Sequence, residues 1–208
     1  MATQEKSTEV VIFDAARDVF TEKGFEGARM QEISEKAGIN KALLHYYYRT
    51  KEKLFDAIFK KVFGEFFSKV TGIFENDEPL VDKIKFFVEH YIDFISRNPQ
   101  IPSFIIHELA RNPKRAVEML GNKTGLIKNN TLGKFSEMIN KEIEKGNIIP
   151  IDPEQLIVNI IGLCIFPFVA KPILIGIIFK NDKKRFNEFI ESRKQEVAKF
   201  VIDAIAKK

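Results

Sequence analysis

The residues best suited to chemistry lie between Gly24 and Leu54, in the string GFEGARMQEISEKAGINKALLHYYYRTKEKL. From Arg29 to Lys53 six cations (Arg29, Lys36, Lys41, Arg49, Lys51 and Lys53) outnumber three carboxylates (Glu32, Glu35 and Glu52). Residues 1 to 28 carry the opposite balance, three cations against six carboxylates. The formal charge of +4 is therefore local, as a phosphate-facing surface requires. His45, Tyr46, Tyr47 and Tyr48 crowd the same stretch. A tyrosine hydroxyl can donate to a phosphate, and its ring can pack on a sugar or a thymine methyl. The competing reading is a small helical corner with core tyrosines and solvated lysines.

Other constellations are thinner. Ser103 and His107 share a helix face at four-residue spacing, with Glu108 adjacent, but no separate group orients the pair. His90, His107 and Glu108 could meet at a metal, although their spacing does not demand it. HExxH, CxxC, GxSxG, P-loop and dinucleotide patterns are absent from the sequence. The chain reads as a non-enzyme with no cofactor and no metal. Cys164, the single cysteine, lies in apolar sequence and reads as a small buried hydrophobe. A lone cysteine permits no internal disulfide, which fits a reducing, cytoplasmic setting.

The elements that would hold the basic stretch follow from punctuation. Met30, Ile33 and Ala37 mark one face of a helix over residues 28–37. Gly38 supplies a left-handed stop, and Asn40 caps a second helix over residues 41–47. That is helix-turn-helix geometry, whose second helix can lie in a major groove.

These residues also carry a family resemblance. Ile12-Phe13-Asp14-Ala15-Ala16, Val19-Phe20 and Gly24-Phe25 open the match. It continues through Ile33, Ala37-Gly38-Ile39, Leu44, Tyr47-Tyr48 and Lys51-Glu52-Lys53-Leu54. The chain resembles the TetR family of bacterial transcription regulators over about residues 10–55. It departs from the family pattern in having Asn40 for Ser, Ala42 for Gly, Leu43 for Thr, His45 for Tyr, Tyr48 for Phe and Ala28-Arg29 for Thr-Thr. Leu43 offers methyl contacts in place of hydrogen bonds, so no operator sequence carries over.

The rest of the chain reads as all-α, about nine helices in total. A helix-turn-helix head over residues 1–50 is followed by a larger body over residues 51–208, without a flexible linker. Thr50 caps a helix running to about Glu75, and Asn76-Asp77-Glu78-Pro79 stops it. Asn98-Pro99 and Asn112-Pro113 both read as cap-plus-first-turn signals, bracketing a helix over residues 103–110 and opening another. Further helices are expected over residues 80–97, up to Lys145, from Asp152-Pro153, and over residues 182–206. Residues 55–104 hold ten of the 20 phenylalanines, together with Tyr91. The polar first residues, MATQEK, read as a loose arm without the order of a signal peptide. Ile160 to Phe179 is long enough for a membrane span, but Lys171 and the two prolines Pro167 and Pro172 oppose it. A buried helix, a subunit interface or a pocket wall suits this segment better, and no membrane partner is expected.

The resemblance implies a homodimer that binds a double-stranded DNA operator and a small-molecule effector, most simply as a repressor. On this reading Arg29, Lys41, Tyr47 and Lys51 hold phosphates. Ala42, Leu43, His45 and Tyr46 reach toward bases, and Asn40 caps the helix beside them. An apolar or amphipathic effector would sit among Phe63, Phe87, Tyr91, Phe104, His107, Asn130, Asn159 and Phe166. The last two helices would pair subunits through Leu163, Phe189, Ile190, Val197, Phe200 and Val201. Two other classes remain open at this point: a helical enzyme or carrier with a vestigial motif, and a membrane-associated protein using residues 160–179.

Overall fold

The computed structural model describes residues 7–73, 76–122, 126–127 and 129–207. The expected N-terminal arm, the end of the helix expected to reach Glu75, and most of the expected break over residues 121–125 fall outside them. The described residues form eleven α-helices and two π-helical turns, with no strand beyond an isolated bridge between Ile148 and Ala206. The helices are α1 (Thr8–Gly27), α2 (Met30–Lys36), α3 (Lys41–Tyr47), α4 (Lys51–Ile73), α5 (Leu80–Arg97), α6 (Ile101–Arg111) and α7 (Pro113–Val117). They continue as α8 (Thr131–Glu144), α9 (Pro153–Val169), α10 (Lys171–Ile173) and α11 (Lys183–Ile205). The π-helical turns, Glu118–Asn122 and Leu174–Ile178, extend α7 and α10. The count exceeds nine because breaks subdivide what the periodicity reads as single helices.

The chain divides into two compact units, residues 1–65 with 103–124, and residues 66–102 with 125–208. This is a different division from a head ending at residue 50. The first half of α4, all of α7 and nearly all of α6 belong with the head. Burial explains the grouping: Phe20, Phe25, Phe55 and Phe104 share one aromatic core, with ring centres 5.0 Å (Phe20–Phe55), 5.2 Å (Phe25–Phe55) and 5.7 Å (Phe55–Phe104) apart.

Side-chain caps account for several helix starts. Thr50 Oγ1 accepts from Lys53 N, Asn112 Oδ1 from Arg115 N, and Asp152 Oδ1 from Glu154 N. Asn98 behaves differently from a cap-plus-proline signal: it closes α5, its side chain donating to Phe94 O, and α6 starts at Ile101.

In the second unit α11 packs along α5 and α9. Val88, Ile92, Phe135, Ile139, Ile160 and Phe186 are buried with Cys164 at the centre. Burial pushes the Cys164 thiol up to about 12, so it is inert as a nucleophile near neutral pH. The apolar segment turns by 62° between α9 and α10–Ile178, and among the described residues no single helix is long and apolar enough to cross a membrane.

Pro167 lies inside α9 and has no N–H to give Leu163 O, its partner in a regular helix. Arg193 of α11 fills that gap, its Nη2 donating to Leu163 O at 2.7 Å. The repair is imperfect, because the Arg193 Nε atom is buried without a partner. Arg193→Met should therefore lower stability by about 1 kcal/mol, a lost hydrogen bond partly offset by removal of an unsatisfied donor. In a Pro167→Ala background, where residue 167 supplies its own N–H, the same substitution should cost almost nothing. Urea unfolding of the four chains measures this coupling, and equal losses in both backgrounds would refute the proline-gap assignment.

Candidate nucleic-acid interface

The site is built on two seven-residue helices of the first unit, α2 and α3, together with the 20-residue α1. Ile33 and Leu44 are wholly buried; α2 packs on α1, and α3 packs on α2. Gly38 at φ +66 turns the chain between them, a conformation that a Cβ would strain. Asn40 Oδ1 accepts from Leu43 N at 2.7 Å, so the start of α3 is capped as its sequence predicts. The Lys23–Glu32 contact and the Lys36–Asp18 pair at 3.4 Å tie α2 to α1.

With Leu44 inward, the other face of α3 is open. Lys41 and Ala42 are exposed, Leu43 and His45 half-buried, and Tyr46 is 79% exposed. Tyr47 stands edge-on to Tyr46, ring centres 5.6 Å apart. Tyr48 turns inward, and burial raises its hydroxyl above the ordinary tyrosine range. His45 Nδ1 donates to Arg49 O at 3.2 Å, which steadies the exit from α3. Arg29, just before α2, is exposed. Among the described residues neither Arg29 nor Lys41 has a carboxylate within ion-pair distance, so both charges are available to an outside anion.

Lys51, expected at a phosphate, also has partners within its own unit. Its ammonium donates to Ala28 O at 3.1 Å and Glu26 O at 3.3 Å, and lies 4.4 Å from the centre of the Phe25 ring. These carbonyls close the C-terminal end of α1, where a cation is favoured by the helix dipole. Lys51 thus holds the α1–α2 turn in place.

The proposed effector residues do not form one group. Phe63 stacks on Phe59 and Phe104 packs on Phe55, both buried in the first unit, while His107 is exposed. In the second unit Phe87 and Tyr91 meet at 5.6 Å, half-buried. Asn130, left-handed at φ +48, and Asn159 are exposed, and Phe166 is 60% exposed. Of the expected subunit-pairing residues, Ile190, Val197 and Val201 are buried in their own unit's core, Leu163 and Phe189 are half-buried, and Phe200 is 66% exposed. The apolar stripe of α11 is wide enough to cover its own core and still leave Phe200 outside.

Glu108 is the residue that sequence reasoning misplaced. It is 2% exposed, whereas Ser103 and His107 beside it both face solvent, so the three side chains do not converge. Its Oε1 accepts from Phe25 N at 2.8 Å, 83 residues away. Among the described residues no group of three metal-ligating side chains occurs.

Three comparisons bear on this arrangement. A family model described as bacterial regulatory proteins, tetR family, matches residues 12–58, which span α1 to α3 and the start of α4. The HTH-type transcriptional regulator RutR of Escherichia coli is 31% identical over 147 residues, 70% of this chain and 66% of that protein, so the match spans just under two thirds of its length. Among solved structures, a Clostridium perfringens protein described as a candidate fatty acid metabolism regulator superposes with a TM-score of 0.71 at 21% identity, covering 95% of this chain and all of that one. The fatty acid degradation regulator FadR of Bacillus halodurans gives 0.61 at 16% identity, covering 94% of this chain and 97% of that one. At these identities the structural matches speak for the fold.

Asn40→Ala should remove the α3 cap and cost about 1 kcal/mol, whereas Asn40→Ser or Asn40→Asp should be nearly neutral. Thermal melts of the three variants test this, and an Ala variant as stable as the parent would show that the Asn40–Leu43 bond is unimportant.

Proposed function

Because this chain belongs to the TetR family of bacterial regulatory proteins, we propose that it is a DNA-binding transcriptional regulator, a repressor released from a palindromic operator by a small apolar or amphipathic effector. The observation that carries this reading is α3 itself: anchored inward by Leu44, capped by Asn40, and exposing Lys41, Ala42, Tyr46 and Tyr47, with no ion-pair partner for the lysine among the described residues. A helix of this kind fits the major groove, with its first residues toward base edges. Arg29 and Lys41 take phosphates. Leu43 and His45, half-buried at the margin, set base preference.

The chain acts as a homodimer. Val158, Phe166, Ile173, Ile177, Ile178 and Phe200 leave an apolar surface exposed on the second unit, more than a soluble chain usually keeps open. A second copy is the partner that fits a two-fold operator. The effector acts by binding one conformation better than the other, which lowers operator affinity through linkage. Phe87 and Tyr91 are proposed as part of the effector's apolar contacts, in keeping with the names of the fatty-acid regulators that share the fold.

Selection of bound duplexes from random DNA tests the function directly, and failure to enrich any sequence would sink it. On the selected duplex, Lys41→Ala and Arg29→Ala should each flatten the dependence of log affinity on log salt by a slope of about one. Lys51→Ala should leave that slope unchanged and lower the melting temperature instead, which separates the two roles. Phe200→Glu should shift dimer to monomer in sedimentation at micromolar concentration. A wild-type monomer under those conditions would exclude this interface.

A further inference from the structure

We propose that Glu108 is a positioning residue for DNA reading: with Arg111 and Arg115 it sets the pose of α2 and α3 from outside the helix-turn-helix, by clasping the break in α1. The proposal rests on the head binding DNA as argued above. Gly24 interrupts α1 with φ +68 and ψ 178. An amide just past such a residue is out of line with the carbonyl four residues back, and would be orphaned in the core. Glu108 Oε1 takes this amide, Phe25 N, at 2.8 Å. Arg111 Nη1 reaches the carbonyl on the other side of the break, Lys23 O, at 3.3 Å. The Arg115 guanidinium lies 3.0 Å from the centre of the Phe25 ring, with its Nε 3.9 Å from Glu108 Oε2.

Glu108 and Arg111 share a face of α6 at three-residue spacing, and Arg115 joins them from α7 beyond the break at Asn112, so two short helices deliver an acceptor, a donor and a cation to one turn of backbone. The approach is close: a Cβ on Gly24 would stand 3.2 Å from Glu108 Oε1. Position 24 is thus closed to side chains by its backbone angles and by the carboxylate together.

Stability alone gives no reason for this arrangement. An unbroken α1 would satisfy Phe25 N within the helix and need no buried carboxylate, and a buried charge is a weak source of net stability. The break redirects the chain within the few residues that precede α2. Its angle fixes how α2 and α3 stand on α1, and hence how α3 meets a groove. What the carboxylate contributes is one defined pose.

The test uses the full chain, a duplex selected by the unaltered protein, and a scrambled duplex. Glu108→Leu should lower the ratio of specific to non-specific affinity about tenfold, the scale of a lost hydrogen bond to a charged group. Glu108→Gln, which keeps an acceptor oxygen for Phe25 N, should recover most of that ratio. A purely structural role would reduce the active fraction, scale both affinities equally and leave the ratio unmoved. Should Glu108→Leu fail to fold, Arg111→Met removes only the exposed donor to Lys23 O and should lower the ratio roughly threefold. An unchanged ratio in folded Glu108→Leu, or in Arg111→Met where it stands in, overturns the proposal alone. If the unaltered chain selects no duplex at all, the DNA reading itself falls and the proposal with it.

Discussion

A single backbone amide, Phe25 N, dictates much of the first unit. Once Gly24 leaves the helical region, that amide has no neighbour along the chain to receive it, and it lies in the buried core beside Phe20 and Phe55. A carboxylate must be brought in, and a carboxylate in an aromatic core needs cations. Arg115 accordingly lies over the Phe25 ring, and the Lys51 ammonium approaches the same ring. A small defect in one helix thereby recruits residues from α4, α6 and α7, and it accounts for why those segments travel with the head.

The second unit meets the same kind of problem with a different donor. Pro167 deprives Leu163 O of its partner, and Arg193 supplies one from a helix 30 residues further on. In both units a break in a helix is stabilised by a charged side chain reaching from a distant segment. Backbone groups left over by Gly or Pro decide which helices become neighbours, beyond what apolar burial alone would select.

Features with a local cause were legible in the sequence. Gly38 adopts the left-handed turn, Asn40 and Asp152 cap their helices, Thr50 starts α4, and Tyr46 points outward. Each depends on a few adjacent residues whose preferences agree. What escaped was everything settled by partners far along the chain. The internal partners of Lys51, carbonyls 23 and 25 residues back, leave no signal near it in sequence. Glu108 read as a companion of His107 because the two are adjacent, whereas adjacent helical residues face different ways. Asn98-Pro99 imitated a cap, and its side chain turned back to α5 instead. Burial of Val197 and Val201 also required knowing that α5 lies against α11.

The first unit is discontinuous along the chain: residues 66–102 depart from it and only then do residues 103–124 return. During synthesis the helix-turn-helix emerges complete in sequence but lacks the carboxylate for Phe25 N until α6 has been made. Closing that long excursion carries an entropic penalty that grows slowly with its length, and no local contact repays it in advance. Assembly of the head therefore waits on a segment translated well after it, and a nascent chain stopped short of Glu108 would expose an unfinished core of phenylalanines to its surroundings.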